Sequence, residues 1–269
     1  MKGKSIVKAE YKNWIPLTMI EGFTAGAAVL AASAAAVFDD GDEYRSPAKN
    51  AAFAALCTGS ALCGCAAAWL GYCRSRYSYD GERKLSKQMI EGTAAYITLP
   101  DGGKGLDVGC GSGALAIACA RRNPRGKMIG IDLWGKDFRG YSKLLCERNA
   151  AAEEVYNVSF EKGNAVRLDY PDETFDAVTS NYVYHNIPGV NKQKLLRETL
   201  RVLKKGGVFA VHDIMSPECF GDMNSFVREL LDAGYERAEL IPTDRGLFMS
   251  PSEAAVMGLK GSVLLVGRK

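Results

Sequence analysis

Three glycines at alternate positions, Gly109, Gly111 and Gly113, separate an apolar segment from an alanine-rich run in this chain of 269 residues. Glycine permits a tight turn and, because it has no Cβ, lets the backbone approach a ligand closely. The open N–H groups at the start of the following helix favour a polar or anionic group. Residues 106–120 therefore predict a strand-to-helix turn that binds a nucleotide-type cofactor.

Two carboxylates accompany this turn. Asp107 lies two residues before the first glycine, where it would repel a pyrophosphate but accept hydrogen bonds from a cationic amino-acid group. Asp132 ends a second apolar segment about twenty residues downstream, the spacing at which an acid meets ribose hydroxyls. Further on, Gly163-Asn164-Ala165 precedes a strand-like segment over residues 176–181.

Taken together, the D-V-G-C-G-S-G turn, the acid at 132, the G-N-A element and the F-D-A-V strand resemble the class I S-adenosylmethionine-dependent methyltransferases, over roughly residues 83–269. The resemblance implies that the glycines enclose the methionine end of the cofactor, above Asp107, and that Asp132 binds both ribose hydroxyls. It also implies that Asn164 and Ala165 border the adenine, while Asn181 lies beside the sulfonium. The cofactor-binding residues that it implies are Asp107, Gly109, Cys110, Gly111, Gly113, Asp132, Leu133, Asn164, Ala165 and Asn181. The adenine position is commonly Asp in this family; the amide oxygen of Asn164 can still pair with the adenine amino group.

Methyl transfer from a sulfonium is an in-line displacement, so the protein mainly aligns donor and acceptor. A general base is required only if the acceptor must lose a proton. His185 and Tyr184 are the predicted catalytic residues: His185 is the base, and Tyr184 with Tyr182 walls the acceptor pocket. A loop-fixing or helix-capping histidine and core-packing tyrosines are the alternatives. The pair His212-Asp213, at the end of a later strand, is a candidate for orienting the substrate.

Two runs without charged residues, 22–38 and 51–73, lie near the start of the chain. The second is long enough to cross a bilayer as a helix, and the first reaches that length if it begins near Trp14 and includes Glu21. Lys and Arg residues precede the first run and follow the second, whereas acids predominate between them. Because Lys and Arg remain on the cytoplasmic side, residues 15–38 and 51–73 predict a membrane hairpin with both ends inside.

Two other interpretations of these runs remain. They are also compatible with a soluble, alanine-rich hairpin packed on the following domain, and the first run resembles a cleaved signal peptide. The predicted organisation is an N-terminal apolar helical hairpin over residues 1–77 and a methyltransferase domain over residues 78–269. The predicted location is the membrane, with the catalytic domain in the cytoplasm; a soluble cytoplasmic protein is the alternative.

After residue 74 the chain alternates between strand-like and helix-like segments, which predicts a mostly parallel sheet covered by helices on both faces. The fold class is therefore α/β, with a Rossmann-like, doubly wound, seven-stranded sheet, and the family resemblance implies that the last strand is antiparallel. Predicted strands cover residues 104–108, 127–131, 158–161, 177–180, 208–212, 238–241 and 262–266. Predicted helices cover residues 83–97, 114–122, 141–152, 192–203 and 223–233.

Composition excludes several other classes. The net charge is only +3, which does not indicate a nucleic-acid partner. The chain has two histidines, so no metal site is expected, and its eight cysteines lack the spacing of a disulfide framework, which favours a reduced compartment.

The sequence thus predicts an S-adenosylmethionine-dependent methyltransferase acting on a small-molecule or lipid acceptor, such as a quinone, at the cytoplasmic face of a membrane. An NAD(P)-dependent oxidoreductase is one alternative, because the glycines also satisfy the dinucleotide fingerprint. A non-catalytic, membrane-bound scaffold that senses the cofactor is another.

Overall fold

The structure is a computed structural model that describes residues 8–39, 46–135 and 140–269. The chain forms two compact units. One is Asn13–Lys84, and the other is Leu85–Lys269 together with the segment that ends at Lys12. Residues 78–84 therefore group with the N-terminal helices, whereas the sequence-based division falls before them.

The Asn13–Lys84 unit contains two long helices, α1 (Leu17–Phe38) and α2 (Pro47–Tyr77). The side chain of Ser46 accepts a hydrogen bond from the Lys49 N–H and caps α2, whose first residue is a proline with no N–H to satisfy. By length and composition, both helices are able to cross a membrane. The buried side chains among the described residues of these two helices are Ala34, Leu70 and Cys73.

The two helices pack against each other as an antiparallel hairpin through small residues. Near their middles, the Ser60 hydroxyl of α2 donates a hydrogen bond to the Ala27 carbonyl of α1 at 2.8 Å. At one end the rings of Phe38 and Phe53 lie 5.4 Å apart. Small residues allow the two backbones to approach closely, so much of the larger apolar surface faces outward.

The Leu85–Lys269 unit contains one seven-stranded sheet in the order β3-β2-β1-β4-β5-β7-β6. The first five strands pair in parallel, and β7 pairs antiparallel with both β5 and β6. This topology confirms the predicted fold class. The strands are β1 (Lys104–Val108), β2 (Lys127–Asp132), β3 (Val158–Lys162), β4 (Phe175–Asn181), β5 (Leu203–Ile214), β6 (Arg237–Pro242) and β7 (Ser262–Arg268).

Helices cover both faces of the sheet, as an α/β alternation requires. The predicted helices are all present, and the structure adds two short helices and one turn of 3₁₀ helix over Tyr184–Asn186. The helices are α3 (Leu85–Ala94), α4 (Ala114–Arg122), α5 (Lys143–Ala152), α6 (Lys192–Arg201), α7 (Pro217–Phe220), α8 (Met223–Asp232) and α9 (Pro251–Val256).

The core of this unit lies between the sheet and its helices. Helix α6 turns Leu195, Leu196 and Leu200 inward, at the spacing of one helical face, and all three are almost fully buried. They pack in one cluster with strand residues that include Leu106 and Phe209. Full burial of each such side chain contributes about 1.5–3 kcal/mol, which holds the strand ends in fixed positions.

Candidate active site

The predicted site residues gather at one edge of the sheet. Strands β1 to β4 run parallel, so their carboxyl ends meet there, and ligands of open α/β sheets bind outside those ends. Asp107 pairs in register with Gly130 of β2 and with Thr179 of β4. Asn181, at the end of β4, pairs with His212 of β5. The sheet therefore brings together residues that lie far apart in the chain.

The glycine turn follows β1 directly and begins α4. Gly109, Gly111 and Gly113 have φ angles of 74°, 56° and 85°, a region that side chains rarely adopt. A Cβ at Gly109 would also lie 2.4 Å from Val183, so that position excludes any other residue on steric grounds. The backbone N–H groups of Gly109 and Cys110 both donate to the Ile131 carbonyl, which ties the turn to the end of β2.

Asp107 lies beneath this turn with only 1% of its surface exposed. Among the described residues its Oδ2 atom has no hydrogen-bond partner, and burial raises the pKa of the carboxyl to about 8. A buried carboxylate oxygen without a partner is costly unless a ligand supplies the missing donor or charge. The site thus fits a ligand that carries a cationic amino group, as the methionine end of the predicted cofactor does.

Asp132 stands at the end of β2 and contacts the turn directly. Its Oδ2 atom accepts a hydrogen bond from the Gly111 N–H at 2.9 Å, and its Oδ1 atom accepts one from the Trp134 N–H at 3.0 Å. A carboxylate offers about four acceptor positions, so each oxygen retains capacity for a further donor such as a hydroxyl.

The residues predicted to contact the adenine, Asn164 and Ala165, follow β3 and lie next to the end of β2. The Gly163 N–H donates to the Asp132 carbonyl at 3.0 Å, which places Asn164 and Ala165 next to that acid. The Asn164 side chain is exposed, and its oxygen accepts a hydrogen bond from the Val166 N–H at 2.9 Å, so it also stabilises its own turn. Leu133 is 44% exposed beside Asp132, which leaves an apolar side chain available to a ligand.

Asn181 belongs to a chain of polar groups that runs into the core. Its Oδ1 atom lies 2.8 Å from His212 Nδ1, and His212 Nε2 lies 2.8 Å from the Thr243 hydroxyl. His212 is fully buried, and desolvation lowers its pKa to about 4, so the ring is neutral at physiological pH. An amide oxygen only accepts, so Nδ1 carries the proton and donates to Asn181 while Nε2 accepts from Thr243. His212 therefore holds the Asn181 amide and does not present its own nitrogens to a substrate.

His185 pairs with Asp213, the residue that follows His212. The Nδ1 atom of His185 lies 2.5 Å from Asp213 Oδ1, and the fully buried Asp213 also accepts the Tyr184 N–H through Oδ2 at 2.8 Å. Because Asp213 accepts a hydrogen bond from Nδ1–H, the lone pair of the neutral imidazole lies on Nε2. His185 is partly exposed, so the pair has the arrangement of a base that is oriented by a buried carboxylate.

Tyr184 requires a correction. Its side chain is completely buried in the core cluster, and its hydroxyl lies 2.5 Å from the Thr199 hydroxyl of α6. Burial also raises the pKa of this phenol far above its usual range. Tyr184 is therefore a packing residue and not the catalytic or pocket-wall residue that its position after β4 predicted.

Three further aromatic residues contact His185, His212 or the glycine turn. Tyr182 has a φ of 54°, and its ring lies against His185 and His212 at centroid distances of 5.9 and 4.7 Å. Phe248, from the connection between β6 and β7, lies 5.4 Å from His212. The sequence reasoning missed Phe248 and Trp134; the position of Trp134 two residues after the β2 acid was an available signal, whereas nothing local indicated Phe248.

The topology, the glycine turn over a carboxyl group with one unpartnered oxygen and the acid at the end of β2 together define a class I S-adenosylmethionine-dependent methyltransferase. A family model described as a methyltransferase domain matches residues 99–239, about half of the chain. The chain belongs to this family, and S-adenosylmethionine is its cofactor. The nicotinamide alternative is thereby set aside.

Curated relatives match about half of the chain. A demethylmenaquinone methyltransferase from Geobacillus stearothermophilus is 35% identical over 126 residues, which are 46% of this chain and 51% of that protein. One from Bacillus licheniformis is 32% identical over 140 residues, 51% of this chain and 56% of that protein. The chain spans about half the length of the curated relatives that it matches.

Solved structures support the fold at lower identity. A geranyl diphosphate methyltransferase, in complex with geranyl diphosphate and sinefungin, superposes with a TM-score of 0.52 at 16% identity, covering 70% of this chain and 80% of that one. The [4+2]-cyclase SpnF superposes with a TM-score of 0.53 at 20% identity, covering 71% of this chain and 85% of that one. At such identities the likeness establishes the architecture alone.

Proposed function

We propose that this enzyme methylates a lipophilic, aromatic acceptor of the quinone type at the cytoplasmic face of a membrane. The curated relatives named as demethylmenaquinone methyltransferases support the class of acceptor. The observation that carries the membrane location is the exposed apolar surface of α1 and α2. The acceptor and the membrane are connected because a quinone with an apolar tail is itself dissolved in the bilayer.

The helix lengths agree with this location. At 1.5 Å per residue, the 22 residues of α1 extend about 33 Å and the 31 residues of α2 about 46 Å, against a hydrocarbon thickness of about 30 Å. Val29 and Leu62, near the middles of the two helices, are 64% and 66% exposed. In water these surfaces would remain hydrated at a free-energy cost, whereas lipid chains would cover them.

The residues at the open end of the hairpin support an orientation. Trp14 and Tyr77 lie in an edge-to-face contact 6.1 Å between ring centroids, at the end where the chain enters α1 and leaves α2. Arg74 and Arg76 occupy the last turn of α2 at the same end. Aromatic residues favour the membrane interface and Arg favours its cytoplasmic side, so the ends that continue into the catalytic unit are cytoplasmic.

The aromatic surroundings of His185 support a planar acceptor. Tyr182 and Phe248 both pack edge-on against His212, and Tyr182 also contacts the His185 ring. A flat ring bound beside Tyr182 would make favourable edge or offset contacts and would bring its hydroxyl within reach of His185.

The chain's own groups then have distinct tasks in the reaction. His185 Nε2 accepts the proton of the acceptor hydroxyl, and buried Asp213 stabilises the resulting imidazolium through Nδ1–H. Asp107 would balance the charge of the cofactor's amino group, and the glycine turn would hold the donor beside the acceptor. When bound, S-adenosylmethionine would supply a methyl group activated by its sulfonium, with a neutral thioether as the leaving group.

Methyl-labelled cofactor tests this proposal. The full chain, reconstituted in phospholipid nanodiscs, is incubated with labelled S-adenosylmethionine and either a demethylated naphthohydroquinone or a water-soluble catechol. Label is expected in the organic extract of the naphthohydroquinone reaction, with little transfer to the catechol. Equal transfer to both acceptors, or recovery of the intact protein in the supernatant of pelleted membranes, would contradict the proposal.

A further inference from the structure

Trp134 has a backbone conformation that is unfavourable for its type. It lies two residues after Asp132 with a φ of 42°, a left-handed value at which a bulky side chain is rare. Strained residues of this kind persist only where surrounding interactions hold them, and they concentrate at ligand sites. The question is which interactions hold Trp134.

Three hydrogen bonds form a closed circuit around this residue. The Trp134 N–H donates to Asp132 Oδ1 at 3.0 Å, and the Gly111 N–H donates to Asp132 Oδ2 at 2.9 Å. The indole Nε1–H of Trp134 completes the circuit by donating to the Gly111 carbonyl at 3.0 Å. One tryptophan therefore joins the carboxylate at the end of β2 to the glycine turn after β1.

This circuit fixes two groups that a cofactor would meet. The two N–H donors hold the Asp132 carboxylate in one rotational position, because each binds a different oxygen. The indole holds the Gly111 peptide plane, with help from the Cys146 thiol, which also donates to the Gly111 carbonyl at 3.2 Å. Groups fixed before binding lose less entropy when the ligand arrives, so the site binds more tightly.

We propose that Trp134 is a positioning residue that holds Asp132 and the glycine turn in the geometry that binds S-adenosylmethionine. This inference rests on the proposed role of Asp132 at the cofactor's ribose. Trp134 acts on cofactor affinity and has no part in moving the methyl group or the acceptor proton. Its loss therefore raises the KM for the cofactor and leaves kcat unchanged.

The test uses two variants of the full-length protein. Trp134→Phe keeps an aromatic ring but removes the indole N–H, while Trp134→Gly also removes the backbone strain, since glycine adopts this φ readily. We expect the Kd for S-adenosylmethionine, measured calorimetrically, to rise about tenfold in Trp134→Phe, the usual effect of losing one such hydrogen bond and its preorganisation. The kcat at saturating cofactor is expected to stay within about twofold of the wild type in both variants.

Tryptophan fluorescence provides a second measurement, the change in emission when the cofactor binds, which a purely structural role of Trp134 would not affect. Cofactor binding is expected to change the emission of the wild type and of Trp69→Phe, a control in α2, but not that of Trp134→Phe. Unchanged affinity in both Trp134 variants, or a fall in kcat with unchanged affinity, would overturn the inference.

A third variant separates this inference from the site on which it rests. Asp132→Asn is expected to weaken cofactor binding more than Trp134→Phe does. If Asp132→Asn weakens binding and both Trp134 variants do not, the inference about Trp134 fails alone. If Asp132→Asn binds the cofactor normally, the placement of the ribose at Asp132 fails, and the role of Trp134 fails with it.

Discussion

In the Leu85–Lys269 unit most large apolar side chains are buried, whereas in the Asn13–Lys84 unit many of them lie at the surface. Leu195 and Phe209 are almost inaccessible in the first, while Val29 and Leu62 are mostly exposed in the second. The two units contain similar residue types but face different solvents under our proposal. What distinguishes them is the pattern: alternating strands and one-sided helices build a core, and continuous apolar helices do not.

The two units also differ in the polar groups that they bury. The catalytic unit buries Asp107, His212 and Asp213, each held by the ends of strands, and uses them at one edge of the sheet. Among its described residues the hairpin buries no carboxylate or imidazole, and one polar contact between its helices is made by the neutral Ser60 hydroxyl. Under our proposal, chemistry and anchoring are divided between the units, and each of the following variants probes one side of that division.

The largest effect is expected at His185. His185→Asn removes the base, so kcat should fall about 10²- to 10⁴-fold if the acceptor must lose a proton, with cofactor affinity unchanged. Steady-state kinetics and calorimetry measure the two quantities. Asp213→Asn serves as the companion variant, because it disturbs the imidazole tautomer without removing the ring. Full activity in His185→Asn would show that the acceptor needs no base.

A charge in the middle of α2 tests whether this helix lies in a membrane or in water. Leu62→Asp places an ion at the centre of the proposed bilayer span, at a cost of about 2.5–3.5 kcal/mol, whereas on a water-exposed surface it costs almost nothing. Membrane flotation measures the bound fraction, and Leu62→Phe is the apolar control. Equal flotation of both variants would contradict a membrane-spanning α2.

We expect Asp107 to cause two pH dependences of opposite sign, one in the stability of the protein without cofactor and one in its affinity for the cofactor. The folded carboxyl has a pKa of about 8, above its ordinary value of 3.8, so the folded state without cofactor binds the extra proton. The stability that the protonated Asp107 carboxyl contributes is therefore fully present below its ordinary pKa of 3.8 and is lost as the pH rises to about 8. Cofactor binding favours the ionised carboxylate, so affinity should instead increase, by up to about tenfold per pH unit between about pH 6 and pH 7.

Asp107→Asn should remove both dependences. Thermal unfolding without cofactor then becomes less sensitive to pH in this range, and calorimetry detects little cofactor binding. A variant that retains wild-type affinity at every pH would show that Asp107 does not meet the cationic amino group.

The smallest expected effect lies in the hairpin. Ser60→Ala removes the hydroxyl that bonds to the Ala27 carbonyl, and such bonds between membrane helices are worth about 0.6 kcal/mol. Thermal unfolding in detergent measures the change. In the catalytic unit, Ser250→Ala removes the N-cap of α9 and is expected to cost about 1 kcal/mol. A cost at Ser60 well above that at Ser250 would indicate that the hairpin depends on this bond more than on apolar packing.

Local signals predicted much of the fold. The bounds of β1 and α4 agree with the expectation, because the glycine turn between them marks both ends. Strand β5 was predicted as residues 208–212 but extends over Leu203–Ile214, because residues 204–207 form a register shift beside β4 and remain within the strand. Helix α9 was missed although Ser250, Pro251 and Glu253 carry a capping box.

The contacts within the site were harder to predict from local sequence than the fold was. The pairing of His185 with Asp213 joins residues 28 positions apart and depends on the register between β4 and β5. The burial of Tyr184 depends on α6, because the Thr199 hydroxyl of that helix forms a hydrogen bond with the Tyr184 hydroxyl. Neither contact has a local signal, so the sequence indicated the residue types and the folded sheet determined their partners.

The position of β7 has a consequence for how the protein is made. This strand comes after all the others in the chain, yet it lies between β5 and β6, so the sheet cannot close until Ser262–Arg268 has been synthesised. Helix α2 leaves the ribosome far earlier, by on the order of ten to forty seconds at usual rates of translation. Under our proposal of a membrane hairpin, its insertion would precede completion of the enzyme, and the catalytic unit would fold while already tethered to the bilayer.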